Sequence, residues 1–422
     1  MRALRDQRPV WLTAPVLTVA VLSIASGLAQ FSVTTVIGDV AAHFGEQTDD
    51  EDLASQLGLP ATTIGLSLAI IRLSSIAALP AAAYADRVGR RRLLVSATAL
   101  GLGLTALAAA SPSYWVYVAL VAVARPALTT LNTLAGVVAA EEATSRDRSS
   151  AIALIAVAYG LGAGVVSVTR GLLPGEPSFR VVTAVALLPL LLLPLLARRI
   201  REPRIAAETA PSTARLGAVP RHLLGRVALL WILTASIAVA TGPGFTYLFV
   251  YGEGVLGASP LTLSVMVLGA GPAGLLGVLI GRWGADAVGR RVTAGVGMAL
   301  TGTAVAVGYS GEVAILAVGY LTAIAASTAF APAEGALVAE LVPTRVRATV
   351  AGWMTVAGIL GAVAGLAAFG LLADVTGSFA EAARWLGTGV AVTSVLFVLL
   401  PETRGMELDE EVPPWRRGAP RR

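Results

Sequence analysis

Apolar positions in this chain come in long runs, not in narrow stripes. Runs long enough to cross a membrane lie near 14–37, 60–83, 93–110, 113–138, 149–172 and 179–197. After a polar stretch they resume near 227–250, 261–281, 292–309, 313–339, 349–372 and 380–400. A helix rises ~1.5 Å per residue, so ~20 residues cross a hydrocarbon layer of ~30 Å. Strands of a membrane barrel are shorter and alternate apolar with polar positions, which these runs do not. The pattern predicts an all-α membrane protein with twelve transmembrane helices. The third run is short and the twelfth is interrupted by Arg384, so these two are the least marked.

Composition agrees. The 422 residues are 56% hydrophobic and only 14% charged, with a mean hydropathy of +0.77. That is too little charge to cover a soluble surface. The net charge of +5 would point to nucleic acid in a soluble chain, but here it sits in the connections between runs. Without cysteine, disulfides and thiolate metal ligands are excluded. The two histidines, His43 and His222, fall outside the apolar runs. No metal site or cofactor is expected. No apolar run ending in a small-residue cleavage site opens the chain, so the first run reads as a retained span.

Every basic residue is an arginine, and their placement sets the orientation. With the N-terminus inside, 26 of the 31 arginines fall on the inner side. The outer side holds only Arg170, Arg180 and Arg384, and its first loop is acidic (Glu46, Asp49, Asp50, Glu51, Asp52). Both termini are therefore expected in the cytoplasm, with the chain a multi-pass protein of the inner (cytoplasmic) membrane.

The stretch 198–226 is polar and Arg-rich, with Pro203, Pro211 and Pro220. It reads as a cytoplasmic linker between a first half, 1–197, and a second, 227–400, which is followed by a tail, 401–422. The halves repeat. "ADRVGRR" at 85–91 recurs as "ADAVGRR" at 285–291, an offset of 200. Glu141, Arg146 and Arg148 recur as Glu340, Arg345 and Arg347, an offset of 199. Parallel repeats about an axis along the membrane normal are how a central cavity forms between two rocking halves.

With these loops in place, the whole chain resembles the major facilitator superfamily. Its loop between the second and third spans follows G-x-x-x-D-R-x-G-R-R, here Ala82, Asp86, Arg87, Gly89, Arg90 and Arg91, with Ala82 replacing the leading Gly. The second copy has Asp286, Gly289, Arg290 and Arg291, with Ala287 in place of the first Arg. "AELVPTRVRATVAG" (339–352) and "PETRGMELDEE" (401–411) resemble sugar-porter and metabolite:proton symporter loops, and "REPR" (201–204) echoes that group's post-sixth-span motif. The resemblance implies that these residues, with Glu141, Arg146, Arg148, Glu340, Arg345 and Arg347, act as a conformational latch. Elementary chemistry fits a latch better than a plain basic anchor. Gly89 permits a tight turn, the arginines hold the loop inside near lipid phosphates, and Asp86 is placed to pair or to cap a helix.

Two arginines are left within spans. Arg72 lies 12 residues from Pro60 and 14 from Asp86, which is near mid-depth at ~1.5 Å per residue. Arg125 is similarly far from both ends of the fourth span. Neither is placed to snorkel to water, so each faces a cavity or a polar partner. Arg125 resembles the fourth-span Arg of many facilitators, although "RPALTT" stands where Gln-Gly follows it there. For both, anion contact and interhelical pairing stay open. Arg offers a planar fork to carboxylate or phosphate.

The family's layout has the first, fourth, seventh and tenth spans lining the path. It implies cavity positions at Gln30 and Thr34, at Arg125, Thr129 and Asn132, at Tyr247 and Tyr251, and at Glu334. In the seventh span "TGPGFTY" (241–247) puts Pro243 between two glycines and predicts a helix break. Glu334, six residues before Glu340, follows Pro332 within the tenth span and is the candidate proton carrier, with a structural pairing to an inner-side Arg as the alternative.

The expected function is secondary transport of a small organic solute by alternating access. Proton-coupled uptake, with an anionic metabolite as one option, is favoured by the sugar-porter-like loops. Proton-driven export of drugs or metabolites is the rival; it is weakened because "AYGLGAGVVS" (158–167) has no Pro in the fifth span. A non-transporting receptor is a third reading. No P-loop, nucleophile elbow or metal-ligand spacing points to an enzyme. The expected partners are the lipid bilayer, a small-molecule substrate and protons, with no nucleic acid, and the expected state is a monomer.

Overall fold

The computed structural model describes residues 13–46, 53–143, 147–173, 179–200, 220 and 223–405, without the side chains of residues 82, 83, 85–87, 148, 149 and 345. Among the described residues, eleven helices are long and apolar enough to cross a membrane. In the first half they are α1 (Ala14–Phe44), α2 (Ala61–Ala81), α3 (Arg90–Ala108), α4 (Tyr114–Glu142), α5 (Ser150–Leu172) and α6 (Phe179–Ala197). In the second half α7 (Leu224–Thr246) and α8 (Pro260–Ala287) are followed by α9 (Arg290–Gly308), then α10 (Val313–Leu341), α11 (Val346–Thr376) and α12 (Phe379–Leu399). The helix that does not qualify is α9. It is as long as α3, 19 residues, and has one leading arginine fewer, but it carries seven Gly or Thr positions and a single leucine where α3 has six leucines. The two runs expected to be least marked, α3 and α12, both qualify.

Local chemistry sets the helix ends. Ser113, Ser259 and Ser378 accept backbone N–H groups of Val116, Thr262 and Glu381 at 3.4, 3.2 and 3.4 Å, capping α4, α8 and α12. Gly89 and Gly289, at φ +98° and +137°, make the tight turns into α3 and α9 that a Cβ would strain. α2 tightens to a 3-10 turn over Ser75–Ala77 and resumes as Ala78–Val88. The break expected at Pro243 falls one turn later. α7 stays helical through Thr246, bends at Tyr247 and continues as Leu248–Gly254. The Tyr309 hydroxyl donates to the carbonyls of Pro243 and Gly244 at 3.4 and 3.1 Å, bonding backbone in the last turn before the bend.

Small residues bring the helices together, as expected where apolar lipid gives no drive for helix association. A Cβ on Gly162 of α5 would collide with the Ile24 carbonyl of α1. A Cβ on Gly361 of α11 would collide with the Ala235 carbonyl of α7 in the same way. These glycines are 199 positions apart, so the internal repeat extends into the packing. The halves meet through α2 against α11 and α5 against α8, two contacts that the same repeat relates. Leucines such as Leu188, Leu191 and Leu195 of α6 stand exposed on the perimeter, where lipid would cover them.

Candidate functional site

Between the halves, α1, α2, α4 and α5 face α7, α10 and α11 across a cavity of about 450 Å³. That lies within the usual range for small-molecule sites. From the first half it is lined by Gln30, Phe31, Val33, Thr34, Leu68, Ile71, Arg72, Arg125 and Tyr159. The second half contributes Ile237, Ala238, Thr241, Gly242, Phe245, Thr246, Ser327, Phe330, Ala362 and Leu366. The helical period explains the set, since Ala238, Thr241 and Phe245 share one face of α7.

The first-half wall is a polar network. Tyr159 donates to Gln30 Oε1 at 3.2 Å, Gln30 Nε2 to Ser26 Oγ at 2.9 Å, and Ser26 to the Leu128 carbonyl at 3.0 Å. Beside it stand Arg72 and Arg125, each with a buried Nε that has no hydrogen-bond partner. A buried donor left unsatisfied costs ~1–3 kcal/mol, and more when charged. The second-half hydroxyls, by contrast, are satisfied within their own helices. Thr241, Thr246 and Ser327 donate to the carbonyls of Ile237, Gly242 and Ile324 at 3.2, 2.6 and 3.0 Å.

Of the expected site residues, Gln30, Thr34, Arg72 and Arg125 meet at this cavity. Thr129 instead donates to the Arg125 carbonyl at 2.9 Å, and Asn132 Oδ1 accepts from Ser23 at 2.6 Å, both away from the lining. Tyr247 and Tyr251 are buried in an aromatic cluster with Tyr309, Phe369 and Phe379. Their hydroxyls donate to the carbonyls of Ala61 and Tyr309 at 3.4 and 3.0 Å. The bend at Tyr247 is what turns them away from the cavity. Glu334 lies one turn beyond Phe330 on the same face of α10, ~6 Å toward the arginine-rich end. There it accepts a hydrogen bond from Thr234 of α7. Sequence reasoning missed Tyr159 and the contributions of α11, because the layout it used admitted only four spans.

The acidic end of the bundle is closed. Arg170 of α5, only 3% exposed, pairs with Asp39 of α1, its Nη2 2.8 Å from Oδ1. Its Nε lies 3.1 Å from Oε1 of Glu253, in the short helix after α7. Asp374 of α11 accepts the backbone N–H groups of Ala61 and Thr62 at 2.8 Å each, across the halves at the start of α2. The negative carboxylate meets the positive end of that helix. Ser264 of α8 donates to the Ser167 carbonyl of α5.

At the opposite, arginine-rich end the two repeated loops are pinned alike. Arg90 pairs with Glu141. Arg290 lies 3.3 Å from both Glu340 and Asp286. Arg91 donates to the Ala197 carbonyl at 3.1 Å, and Arg291 to the Leu400 carbonyl at 3.2 Å. Glu402 of the tail motif accepts the backbone N–H groups of Arg290 and Arg291 at 2.8 and 3.2 Å, capping α9. Arg347 lies in the first turn of the helix Thr344–Thr376. Arg146, and the side chains of Asp86, Arg87, Arg148 and Arg345, lie outside the described residues.

Two helical halves related by a repeat, closed at one end over a polar cavity at mid-depth, define a helical membrane transporter. The model of the Major Facilitator Superfamily matches residues 19–284, and that of the Sugar (and other) transporter family matches residues 206–413. The chain belongs to the major facilitator superfamily and is a transporter, not an enzyme. None of the curated proteins matches it. Among solved structures it is similar to a D-xylose-proton symporter, with 18% identity, a TM-score of 0.71 and coverage of 94% of this chain and 100% of that one. It is also similar to the xylose transporter XylE from E. coli in an inward open conformation, with 17% identity, a TM-score of 0.69 and coverage of 94% and 98%. For the human organic anion transporter MFSD10 (TETRAN) the values are 15%, 0.65, 93% and 100%.

Proposed function

We propose that this chain moves a small organic anion through the central cavity by alternating access, with proton-coupled uptake across the cytoplasmic membrane. Twelve spans with both termini in the cytoplasm make the acidic end the outer one, with α9 crossing as the ninth span despite its two leading arginines. The observation that carries the reading is the cavity itself: Arg72 and Arg125 line it, and among the described residues no acidic side chain lines it with them. The state described here is closed on the outside by Arg170, Asp39, Glu253 and Asp374. Glu334 is the proton carrier, a carboxylate one turn inward of the cavity in the second half. Similarity to a D-xylose-proton symporter supports coupling to protons. The latch pairs at the arginine-rich end, Arg90 with Glu141 and Arg290 with Glu340, hold each half together as the halves rock.

Counterflow tests the reading. Proteoliposomes preloaded with an unlabelled carboxylate take up the labelled one faster than protein-free vesicles. Binding without exchange across anionic, neutral and cationic solutes would leave a receptor instead.

A further inference from the structure

The cavity wall is electrically lopsided. Both of its charged side chains, Arg72 and Arg125, come from the first half. The second-half wall has no charge, only hydroxyls bonded to their own helices and apolar groups that include Phe245 and Phe330. Among the described residues, no acidic side chain lines the cavity. Glu334 stands outside it, hydrogen-bonded to Thr234.

We infer that the substrate is a polarised organic anion, with its negative charge gathered at one end and an uncharged, partly aromatic body. The anionic head sits on Arg72 and Arg125, and the body lies against Phe245 and Phe330, with Phe31 and Tyr159 flanking it. This inference rests on the transport reading above and narrows its anion to one with a single charged end and an apolar, partly aromatic body. Three observations carry it. Each arginine lines the cavity and has no ion pair among the described residues, so its charge is left for an anionic head to balance. An ammonium group on the solute finds no carboxylate in the wall, so zwitterionic amino acids and cations are disfavoured. A neutral polyol finds the second-half hydroxyls already donating to their own backbones, so few polar groups remain to replace its water. Carboxylate and phosphate both match the guanidinium fork, and the head is one or the other.

Titration calorimetry on the purified full chain tests this with probes of one body and different heads: phenylacetate, phenyl phosphate, phenylacetamide, phenylalanine and phenethylamine. At least one of the two anions is expected to bind tenfold or more tightly than the amide, and the two anion arms distinguish the heads. Phenylalanine and phenethylamine are expected to bind no better than the amide. Arg72→Gln and Arg125→Gln each reduce the preference, the lysine variants retain part of it, and Thr133→Ala on the exposed side of α4 leaves it unchanged. Amide or amine binding as tight as the anions, no anion binding at all, or an anion preference that survives the double glutamine variant overturns the inference. The two readings fail separately. Counterflow of neutral or cationic solutes alone ends this inference and leaves transport standing. Anion binding without counterflow does the reverse.

Discussion

Arg170 and Glu253 form an ion pair between the two halves, although they are 83 positions apart in the chain. Arg170 is almost fully buried, and Asp39 holds it from the other side. A buried guanidinium between two carboxylates has little freedom to leave while both remain charged. The pair therefore favours the state closed at the acidic end. That end has to open once in every transport cycle, so the clamp acts on the equilibrium between states more than on the fold of either half.

Removing the clamp should shift that equilibrium. The carboxylates of Asp39 and Glu253 keep 30% and 20% exposure, so Arg170→Ala should weaken closure by only about 1–3 kcal/mol, below the figure for a fully buried pair. The chain has no cysteine of its own, and a Cβ at Gly38 would lie 3.6 Å from Val250 Cγ2. Disulfide formation between Gly38→Cys and Val250→Cys should therefore be efficient in the parent and several-fold slower with Arg170→Ala. Equal rates would remove the clamp from the account.

Asp374 caps a helix of the other half. Asp374→Ala strips two acceptors from the first turn of α2, a change that costs ~1 kcal/mol at a helix N-terminus. The melting temperature should fall by a few degrees. Asp374→Asn, which keeps one acceptor oxygen, should recover part of the loss. A melt unchanged by Asp374→Ala contradicts the cap.

Gly370 is a position where size alone should stop transport. Its Cβ would meet the Ala61 carbonyl, so α11 approaches α2 this closely only without a side chain. Gly370→Val should still express, with no larger fall in melting temperature than Asp374→Ala, because each half keeps its own packing, yet lose counterflow. Gly358→Ala, where the added Cβ meets nothing within 4 Å, serves as the control. Normal counterflow by Gly370→Val would show that the α2–α11 approach is not needed.

Much of this arrangement was readable in the chain and some was not, for physical reasons. The spans follow from hydrophobic runs, a strong signal in lipid, where every backbone group must bond internally. Only α9 departs, because its four glycines and three threonines dilute the apolar run, whereas α3, with three leading arginines, has six leucines to offset them. The repeated Asp-x-x-Gly-Arg-Arg and Glu loops were visible as fixed offsets, and their pairs, Arg90 with Glu141 and Arg290 with Glu340, follow the same duplication. Arg72 and Arg125 stood out because charge is rare at mid-depth. Tyr247 and Tyr251 were placed in the path by span number, but the bend at Tyr247 rotates them into the closed end. The clamp was invisible. Arg170 counts in the sequence only as an outer-side residue, and only the fold brings Asp39 and Glu253 to it.

The most direct measurement is accumulation of a labelled organic anion in proteoliposomes under an imposed pH gradient, comparing the parent with Glu334→Gln. The parent should concentrate the anion when the outside is acidic and lose it when the gradient is collapsed. Glu334→Gln should keep counterflow but lose accumulation. Full gradient-driven accumulation by Glu334→Gln, or none by the parent, would contradict proton-coupled transport through this cavity.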